Sequence, residues 1–253
     1  KSASGGDVIE LAPGDYGDFS TRRNYFDSEV IIRSTDPDDP AIFNTINITS
    51  SKNVTFDSIS IDFTPVEWTV AWASAFRAVG GTSNITVRNS KIEGGDSVSG
   101  ISPDSDVSAS RKYGIEGLPI GRAMKVNGEN IRIENNEITH FHQGIVMGAT
   151  GIDIVDNEIY GLRTTPLRGG GSDVTIKGNY FHDSNPWKFG GRGDHGDYIH
   201  IWTHPDGQPM ENIVITDNVF SDENGGELLG IYLDDNRRDI GFKNVVIDNN
   251  IIH

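Results

Sequence analysis

The sequence predicts an all-β protein built as a solenoid, in which short strands stack in successive coils. Three observations lead to this expectation: a nine-residue template recurs along the chain, apolar and polar residues alternate within it, and an asparagine occupies its seventh position. Alternation with a period of two is typical of strands that have one buried face. Such repeats cannot bury their apolar face alone, so neighbouring repeats must stack into one continuous core.

The template organises most of the chain. Its second, fourth and ninth positions are apolar, and its third and fifth positions are mostly polar, so each copy reads as a short strand followed by a turn. Consecutive copies indicate a unit of roughly 20 residues with insertions between some of them. The close matches are 130–138, 151–159, 173–181, 212–220 and 244–252, and the looser ones are 53–61 and 84–92.

One asparagine recurs at the turn of each repeat. These residues are Asn136, Asn157, Asn179, Asn218 and Asn250. We expect them to form an inward-pointing ladder at a tight corner, with left-handed backbone at the asparagines themselves. A β-sandwich, the alternative architecture, would need a turn about every 8 to 12 residues and would not produce this column.

The repeat resembles that of the right-handed parallel β-helix in the pectate-lyase-like superfamily, and it extends from Val8 to Ile252. The opening segment, 5–16, is similar to the entry strand and turn of such proteins. This superfamily includes polysaccharide lyases, polyuronate C-5 epimerases, polygalacturonase-type hydrolases and phage tailspikes, so the resemblance implies a fold and several functions. We predict a single right-handed parallel β-helix domain over 1–253, with insertions near 93–121 and 182–197.

Composition excludes several classes of partner. The chain has 37 acidic and 21 basic residues, a formal net charge of −16, which disfavours nucleic acid. No stretch approaches the roughly 20 apolar residues of a membrane-spanning helix, and the most apolar region, 63–75, contains Pro65 and Glu67. The chain has no cysteine, so it has no disulfide and no thiolate metal site.

A second set of short strands lies between the template strands and predicts a functional column. If Met124, Ile145, Leu167, Ile199 and Ile231 point into the coil, the residue after each points outward. Those outward residues are Lys125, Val146, Arg168, His200 and Tyr232. With rungs about 4.8 Å apart, this column would span on the order of 20 Å, which suits several units of a polymer. The two insertions would form walls beside it.

The column suits the abstraction of a proton next to a carboxylate. Arg168 or Lys125 would neutralise the carboxylate of an acidic polysaccharide such as alginate, which lowers the barrier to an enolate-like intermediate. His200 would act as the base and Tyr232 as the acid. In a lyase this intermediate loses its leaving group, and in a C-5 epimerase it is reprotonated at C5. The hypothesis is therefore a secreted carbohydrate-active enzyme of one of these two types.

The segment 190–204 adds further candidates. It resembles an Asp-His-x-Asp-x-Ile stretch of bacterial β-helix proteins, and it is similar in kind to the Asp-Pro-His motif of alginate epimerases without matching it. The resemblance gives Asp194, His195 and Asp197 by position, with His195 as a second choice for the base. Asp197 would orient His195 or His200. Tyr198 and Trp202 would project outward beside His200, as platforms for sugar rings or as lateral stacking. Three other histidines, in corner loops, are expected to be structural or surface residues: His140, His142 and His182.

Two alternatives stay open at this stage. A glycoside hydrolase would use two or three carboxylates facing the groove, for which Asp197, Asp234 and Asp235 are available. A non-catalytic, tailspike-like β-helix would bind glycan through aromatic residues, and Asp234 is expected to contact substrate in any case.

No cofactor is required by the proposed chemistry, although calcium is possible. The oxygen-rich segments 194–197 and 234–236 suit a hard cation, but neither has the spacing of an EF-hand loop. Zinc would require the loop to fold back so that His195, Asp197 and His200 meet. No metal ligand is assigned from the sequence.

Overall fold

The computed structural model describes residues 2–104, 114–189, 192–194, 196–203, 209–222, 224–235 and 239–253. These residues form strands, turns and bends, and they contain no helix. A membrane-crossing helix is accordingly not found in this part of the chain. The predicted all-β class is therefore confirmed.

The strands are short and follow one another closely. In chain order they are β1 (Val8–Leu11), β2 (Gly14–Arg22), β3 (Tyr25–Ser34), β4 (Ala41–Thr49), β5 (Lys52–Asp57), β6 (Ser60–Asp62), β7 (Ser74–Arg88), β8 (Lys91–Glu93), β9 (Arg122–Glu134), β10 (Glu137–Thr139), β11 (Gln143–Met147), β12 (Thr150–Val155), β13 (Glu158–Tyr160), β14 (Leu167–Gly169), β15 (Val174–Lys177), β16 (Tyr180–His182), β17 (Lys188–Phe189), β18 (Arg192–Gly193), β19 (Asp197–Trp202), β20 (Met210–Thr216), β21 (Val219–Ser221), β22 (Leu229–Asp234), β23 (Phe242–Asp248) and β24 (Ile251–Ile252).

The strands stack into three parallel sheets, as a parallel β-helix requires. The template sheet holds the repeat strands and includes β12, β15, β20 and β23. The corner sheet includes β10, β13, β16, β21 and β24. The groove sheet runs through β2, β4, the first parts of β7 and β9, then β11, β14, β19 and β22. Each coil visits all three sheets, so residues a coil apart in sequence become direct neighbours.

The interior consists of apolar side chains stacked rung on rung. On the groove sheet, Met124, Ile145, Leu167 and Ile199 are fully buried, and Ile231 packs against the core in the last of these rungs. The predicted inward column is thus confirmed. Burial of one such side chain contributes about 1.5–3 kcal/mol. The core fixes the register, because a slip by one residue would turn the inward column to solvent.

An asparagine ladder lies inside the turn between the template and corner sheets. Nδ2 of Asn136 donates to Oδ1 of Asn157 at 2.9 Å, and Asn157 donates to Asn179 in the same way at 2.9 Å. Asn179 bonds Asn218 at 3.0 Å and Asn218 bonds Asn250 at 2.9 Å. The predicted inward-pointing ladder is confirmed.

The backbone of that turn differs from the expectation. Left-handed φ values belong to the residue before each ladder asparagine, such as Asn135 (52°), Asp156 (54°) and Asp217 (59°). The ladder asparagines themselves are not left-handed. An exposed residue makes the turn, and the buried amide that follows bonds neighbouring coils, so the two tasks fall on adjacent residues.

Loops between the strands rise beside the groove sheet. The insertion 182–197 contains an antiparallel hairpin of β17 and β18. Within it, Nε1 of Trp187 donates to the carbonyl of Pro103 at 3.1 Å, which joins this insertion to the insertion 93–121. A third loop, 63–73 between β6 and β7, stands at the same face and carries Trp72. The insertion 182–197 borders the groove through Gly193 and Asp194, and the apolar segment 63–75 contributes a wall that was not foreseen. Part of the other predicted wall, residues 105–113, lies outside the described residues.

Candidate functional site

The predicted outward column exists in register. Lys125 pairs with Val146, Val146 with Arg168, Arg168 with His200 and His200 with Tyr232, each on adjacent strands. No rung intervenes, so the column spans about 19 Å at the usual spacing. At its other end it continues through two further residues, Arg77 and Asn47.

Four basic side chains share this face and repel one another. They are Arg77, Arg122, Lys125 and Arg168. Burial lowers the pKa of Arg122, and the charge of Arg168 lowers it further. Burial likewise lowers the pKa of Lys125, with Arg122 and Arg77 adding to the effect. Like charges held together out of water favour the binding of an anion between them.

Several arginines elsewhere in the described chain are paired with carboxylates. Arg88 is 2.9 Å from Asp57, and Arg132 is 3.0 Å from Asp153. Within the described residues, none of the four groove cations has an ion pair this close, although burial lowers the pKa of Arg168 while the charge of Asp197 acts to raise it. On a protein with a net charge of −16 this is a local reversal of charge, and it is the electrostatic requirement for capturing an acidic polymer.

His200 lies at the centre of a cluster at the far end of the column. Its Nδ1 atom is 3.3 Å from Oδ2 of Asp197, whose side chain is only 1% exposed. Its Nε2 atom is 3.9 Å from Oδ2 of Asp234 and is screened from solvent. Of the two histidines named from sequence as partners of Asp197, His200 lies within reach of it, and His195 lies outside the described residues.

Aromatic rings pack around this histidine. The ring of Tyr232 is 4.8 Å from that of His200, and the ring of Trp202 approaches edge-on at 5.2 Å. Trp202 also carries the guanidinium of Arg168 over its face, 5.1 Å from the ring centre. This cation–π contact orients Arg168. Trp202 therefore fits the predicted lateral stacking, while Tyr232 is 44% exposed and open to a ligand.

Tyr198 does not project into the groove, so that prediction is wrong. Its side chain is 1% exposed, stacks at a centroid distance of 5.0 Å against Phe220, and donates its hydroxyl hydrogen bond to Asp222. Burial and this bond raise its pKa. The reason is that β19 starts at a corner of the coil, where its first three residues are all buried. His195 lies outside the described residues.

Two cavities lie over the basic end of the groove and share Arg122 and Trp72. One, of about 460 Å³, is also lined by His142, Arg168 and Asp194. The other, of about 660 Å³, is lined by Asn47, Arg77 and Lys125 among others. Together they form a trough that follows the column from Asn47 towards Arg168.

His142, expected to be a structural or surface residue of a corner loop, lines this trough. Burial lowers its pKa to about 3, and the charges of Arg163, Arg168 and Arg122 add to the effect. The imidazole is therefore neutral at pH 7. A neutral ring of such low basicity offers hydrogen bonds to sugar hydroxyls, but it cannot hold a proton taken from carbon.

Asp194 has a structural role in the wall of the trough. Its carboxylate accepts two hydrogen bonds from Arg163, at 2.6 and 2.9 Å, and one from the backbone N–H of Trp187 at 3.1 Å. This bidentate pair fixes the base of the hairpin that borders the groove. Asp194 is thereby engaged in the wall of the trough, where it also lines the smaller cavity.

The remaining carboxylates do not form a hydrolase constellation. Asp235 accepts hydrogen bonds from Thr203 at 3.0 Å and from the N–H of Gly241 at 3.1 Å, so it holds a turn. Asp197 is buried beneath His200. Asp234 is the carboxylate of this set that remains partly exposed. Among described residues, no group of three or more His, Asp or Glu side chains is arranged to hold a metal.

Sequence reasoning missed Arg77, Arg122, His142 and Trp72. Arg77 extends the column by one rung. It precedes its template match by seven residues, whereas Lys125 precedes its own by five, because the register of β7 shifts between Ala78 and Thr82. Arg122 begins a strand, and His142 and Trp72 lie in loops. Alternation within strands carries no information about where loop side chains point.

A second concavity lies on the outer face of the template sheet. It has a volume of about 670 Å³ and is lined by side chains such as Asn84, Asn130, Arg132 and Asp153. Arg132 and Asp153 neutralise each other there, and the asparagines bond one another at 3.1 Å. Glu29 and Asp173 also line it and bond the neutral side chains of Thr55 and Asn212, so this face carries excess negative charge and lacks the cluster of cations that distinguishes the groove.

Comparisons with known proteins agree with the fold. A family model described as "Right handed beta helix region" matches residues 123–253. The sequence has no match among curated proteins. Among solved structures, PfbA, a surface adhesin of Streptococcus pneumoniae, is similar with a TM-score of 0.58 at 13% identity, covering 98% of this chain and 73% of the adhesin. At that identity the likeness shows the fold alone.

Two enzyme structures are more distant. An alginate lyase from Paenibacillus sp. str. FPU-7 gives a TM-score of 0.45 at 13% identity, covering 92% of each chain. A structure described as a glycoside hydrolase gives 0.44 at 12% identity, covering 87% of this chain and 50% of the other. Function has to be argued from the groove itself.

Proposed function

The chain belongs to the right-handed β-helix family, and from the groove on its coil we propose that it is a carbohydrate-active enzyme acting on an acidic, uronate-containing polysaccharide. It abstracts the C5 proton of a uronate unit and cleaves the polymer as a lyase. The observation that carries this proposal is the adjacent-rung order Arg168, His200, Tyr232, which supports a cation, a base and an acid side by side.

Arg168 takes the carboxylate of the unit that reacts. Removal of the C5 proton moves charge onto that carboxylate, and a fixed guanidinium beside it stabilises the enolate-like intermediate. Trp202 holds the guanidinium in place at 5.1 Å. Lys125 is three rungs, or about 14 Å, from His200, too far to serve the same carboxylate, so it binds the polymer elsewhere.

His200 and Tyr232 divide the proton transfers between them. Asp197 keeps Nδ1 of His200 protonated, which leaves Nε2 to accept the C5 proton. The C5–H bond breaks, a C4–C5 double bond forms, and the C4–O bond breaks. The phenol of Tyr232 gives its proton to the departing oxygen. Since Nε2 is screened in the free protein, the sugar has to displace a neighbouring side chain to reach it.

The placement of base and acid favours the lyase branch over the epimerase. Epimerisation needs a proton delivered to the sugar face opposite the one that lost it. His200 and Tyr232 stand on adjacent rungs of one sheet face and approach the sugar from the same side. Across the trough, His142 is too weakly basic to carry a proton at neutral pH.

The experiment is an ultraviolet absorbance assay for the unsaturated product, run with the purified protein on several polyuronates. We expect the enzyme to act outside the cell. Each reaction is run with calcium and with a chelator, which tests the calcium expectation. His200→Asn should abolish the signal, while Lys177→Gln, on the exposed template sheet, should leave it unchanged.

The outcomes separate the alternatives. C5 proton exchange seen by NMR without cleavage would indicate an epimerase. New reducing ends without unsaturation would indicate a hydrolase. Binding of an acidic polysaccharide with neither reaction would make the protein a glycan-binding β-helix and overturn the proposed catalysis.

A further inference from the structure

The loop 63–73 leaves three large apolar side chains exposed beside the groove. Val66, Trp68 and Trp72 are 66%, 60% and 49% exposed. Exposed aromatic residues that cluster next to a polar trough mark a binding surface more often than isolated ones do. Of the three, Trp72 lines both cavities of the trough.

The loop is built to hold this tryptophan in position. The backbone N–H of Arg122 donates to the carbonyl of Ala73 at 2.8 Å, directly after Trp72. Gly121 has a φ of +79°, and a Cβ there would lie 3.1 Å from the ring of Phe63 and 3.2 Å from the Ala73 carbonyl. The loop is therefore fixed at both ends, by Phe63 in the core and by the start of β9.

Cations line the same cavity as this aromatic ring. The larger cavity is lined by Trp72 and by Arg77 and Lys125, which lie on adjacent rungs about 4.8 Å apart. A pyranose ring offers an apolar face for stacking, and a uronate also offers a carboxylate. An aromatic ring that shares a cavity with two adjacent cations matches both features of one sugar unit.

We infer that Trp72, Arg77 and Lys125 form a separate binding subsite for a uronate unit, about three units from the bond that is cleaved. This inference rests on the proposed function for its position along the polymer. Three rungs separate Lys125 from His200. An extended chain of pyranose units advances on the order of 5 Å per unit, close to the rung spacing, so register along the sheet becomes register along the sugar chain.

A subsite at this distance affects substrates according to their length. Oligomers long enough to reach from His200 to Trp72 contact the subsite and bind more tightly, while shorter oligomers do not reach it. Trp72→Ala should raise KM about three- to tenfold for the polymer, with kcat unchanged. The reason is that the substitution weakens binding of the substrate and of the transition state equally and changes nothing at the reacting atoms. The shortest cleavable oligomers should keep their wild-type KM. Products of different lengths should form from the polymer in more nearly equal amounts.

The matched control is Trp68→Ala. Trp68 lies in the same loop and is more exposed, but it does not line either cavity. It should leave KM unchanged for every length. Arg77→Gln and Lys125→Gln serve as second variants with the same expected length dependence, and thermal melting of each variant verifies that it is folded.

A binding measurement separates this inference from the proposed function. Purified alginate and pectate oligomers of increasing length are titrated calorimetrically into the His200→Asn variant, with and without Trp72→Ala. A loss of affinity confined to long oligomers supports the subsite even if no polyuronate is cleaved. Equal affinities with and without Trp72, or equal losses at all lengths, would overturn it even if cleavage is normal.

Discussion

Oδ2 of Asp197 lies 3.3 Å from Nδ1 of His200, and the carboxyl is almost completely buried while the imidazole reaches the surface. A buried carboxylate next to a histidine selects one tautomer and one ring orientation. The two residues are three apart in β19, at the point where the strand leaves a corner of the coil. The corner thus places the carboxylate behind the imidazole, out of contact with substrate.

Asp197→Asn should lower kcat about 100-fold or more with little change in KM. The substitution keeps the shape of the side chain but allows the imidazole to adopt the wrong tautomer, and general base catalysis contributes about 100- to 10,000-fold in such sites. Steady-state kinetics on the preferred polyuronate provide the measurement. A rise in KM with unchanged kcat would show that Asp197 serves binding rather than the orientation of the base.

Salt should weaken substrate binding through the groove cations. Because Arg77, Arg122 and Lys125 have no carboxylate partners among the described residues, the attraction of a polyanion is screened as ionic strength rises. We expect KM to increase several-fold between low and physiological salt, and Lys125→Gln to flatten that dependence. The control is Lys243→Gln, whose lysine pairs with Glu211 on the template sheet at 2.8 Å. A salt dependence unaltered by Lys125→Gln would contradict this account.

The neutral His142 should make the protein less stable in mild acid. Its folded pKa is about 3, below the ordinary value of 6.5, so the unfolded chain binds the proton more readily. The free energy of unfolding therefore falls as pH decreases from about 6.5 towards 3, by at most a few kcal/mol from this group. Urea denaturation at pH 7.5 and 4.5 should show a smaller fall for His142→Gln than for the wild type. The same fall in both proteins would contradict the assignment.

Much of the groove could be predicted from sequence because strand geometry determines it. Alternation decides which residues leave the core, and parallel stacking with fixed register aligns Lys125, Arg168, His200 and Tyr232. Tyr198 was misplaced because alternation fails where a strand turns a corner.

Loop residues remained beyond reach for a different reason. The direction of Trp72 depends on the close packing of Gly121 against Phe63, a contact between distant parts of the chain. The sequence predicted only a structural or surface role for His142, because its place in the trough depends on the wall 182–197, where Asp194 pairs with Arg163. Such contacts leave no periodic signal in the sequence.

The asparagine ladder should carry a measurable share of the stability. Asn157→Ala removes the acceptor for both the backbone N–H and the side-chain amide of Asn136, and buried groups left unpaired cost about 1–3 kcal/mol each. We expect a loss of about 3 kcal/mol in the free energy of unfolding. Asn127→Ala, at an exposed position of the groove sheet, should cost less than about 0.5 kcal/mol. Comparable losses for both variants in urea denaturation would show that the ladder contributes nothing specific.

The division of labour between His200 and Tyr232 is tested most directly by the exchange of the C5 proton in deuterated water. In Tyr232→Phe, the base still removes and returns the C5 proton, but the leaving oxygen receives none. NMR should therefore show deuterium at C5 without unsaturated product. His200→Asn should show neither exchange nor product. Exchange that persists in His200→Asn, or that is lost in folded Tyr232→Phe, would contradict the assignment of His200 as the base.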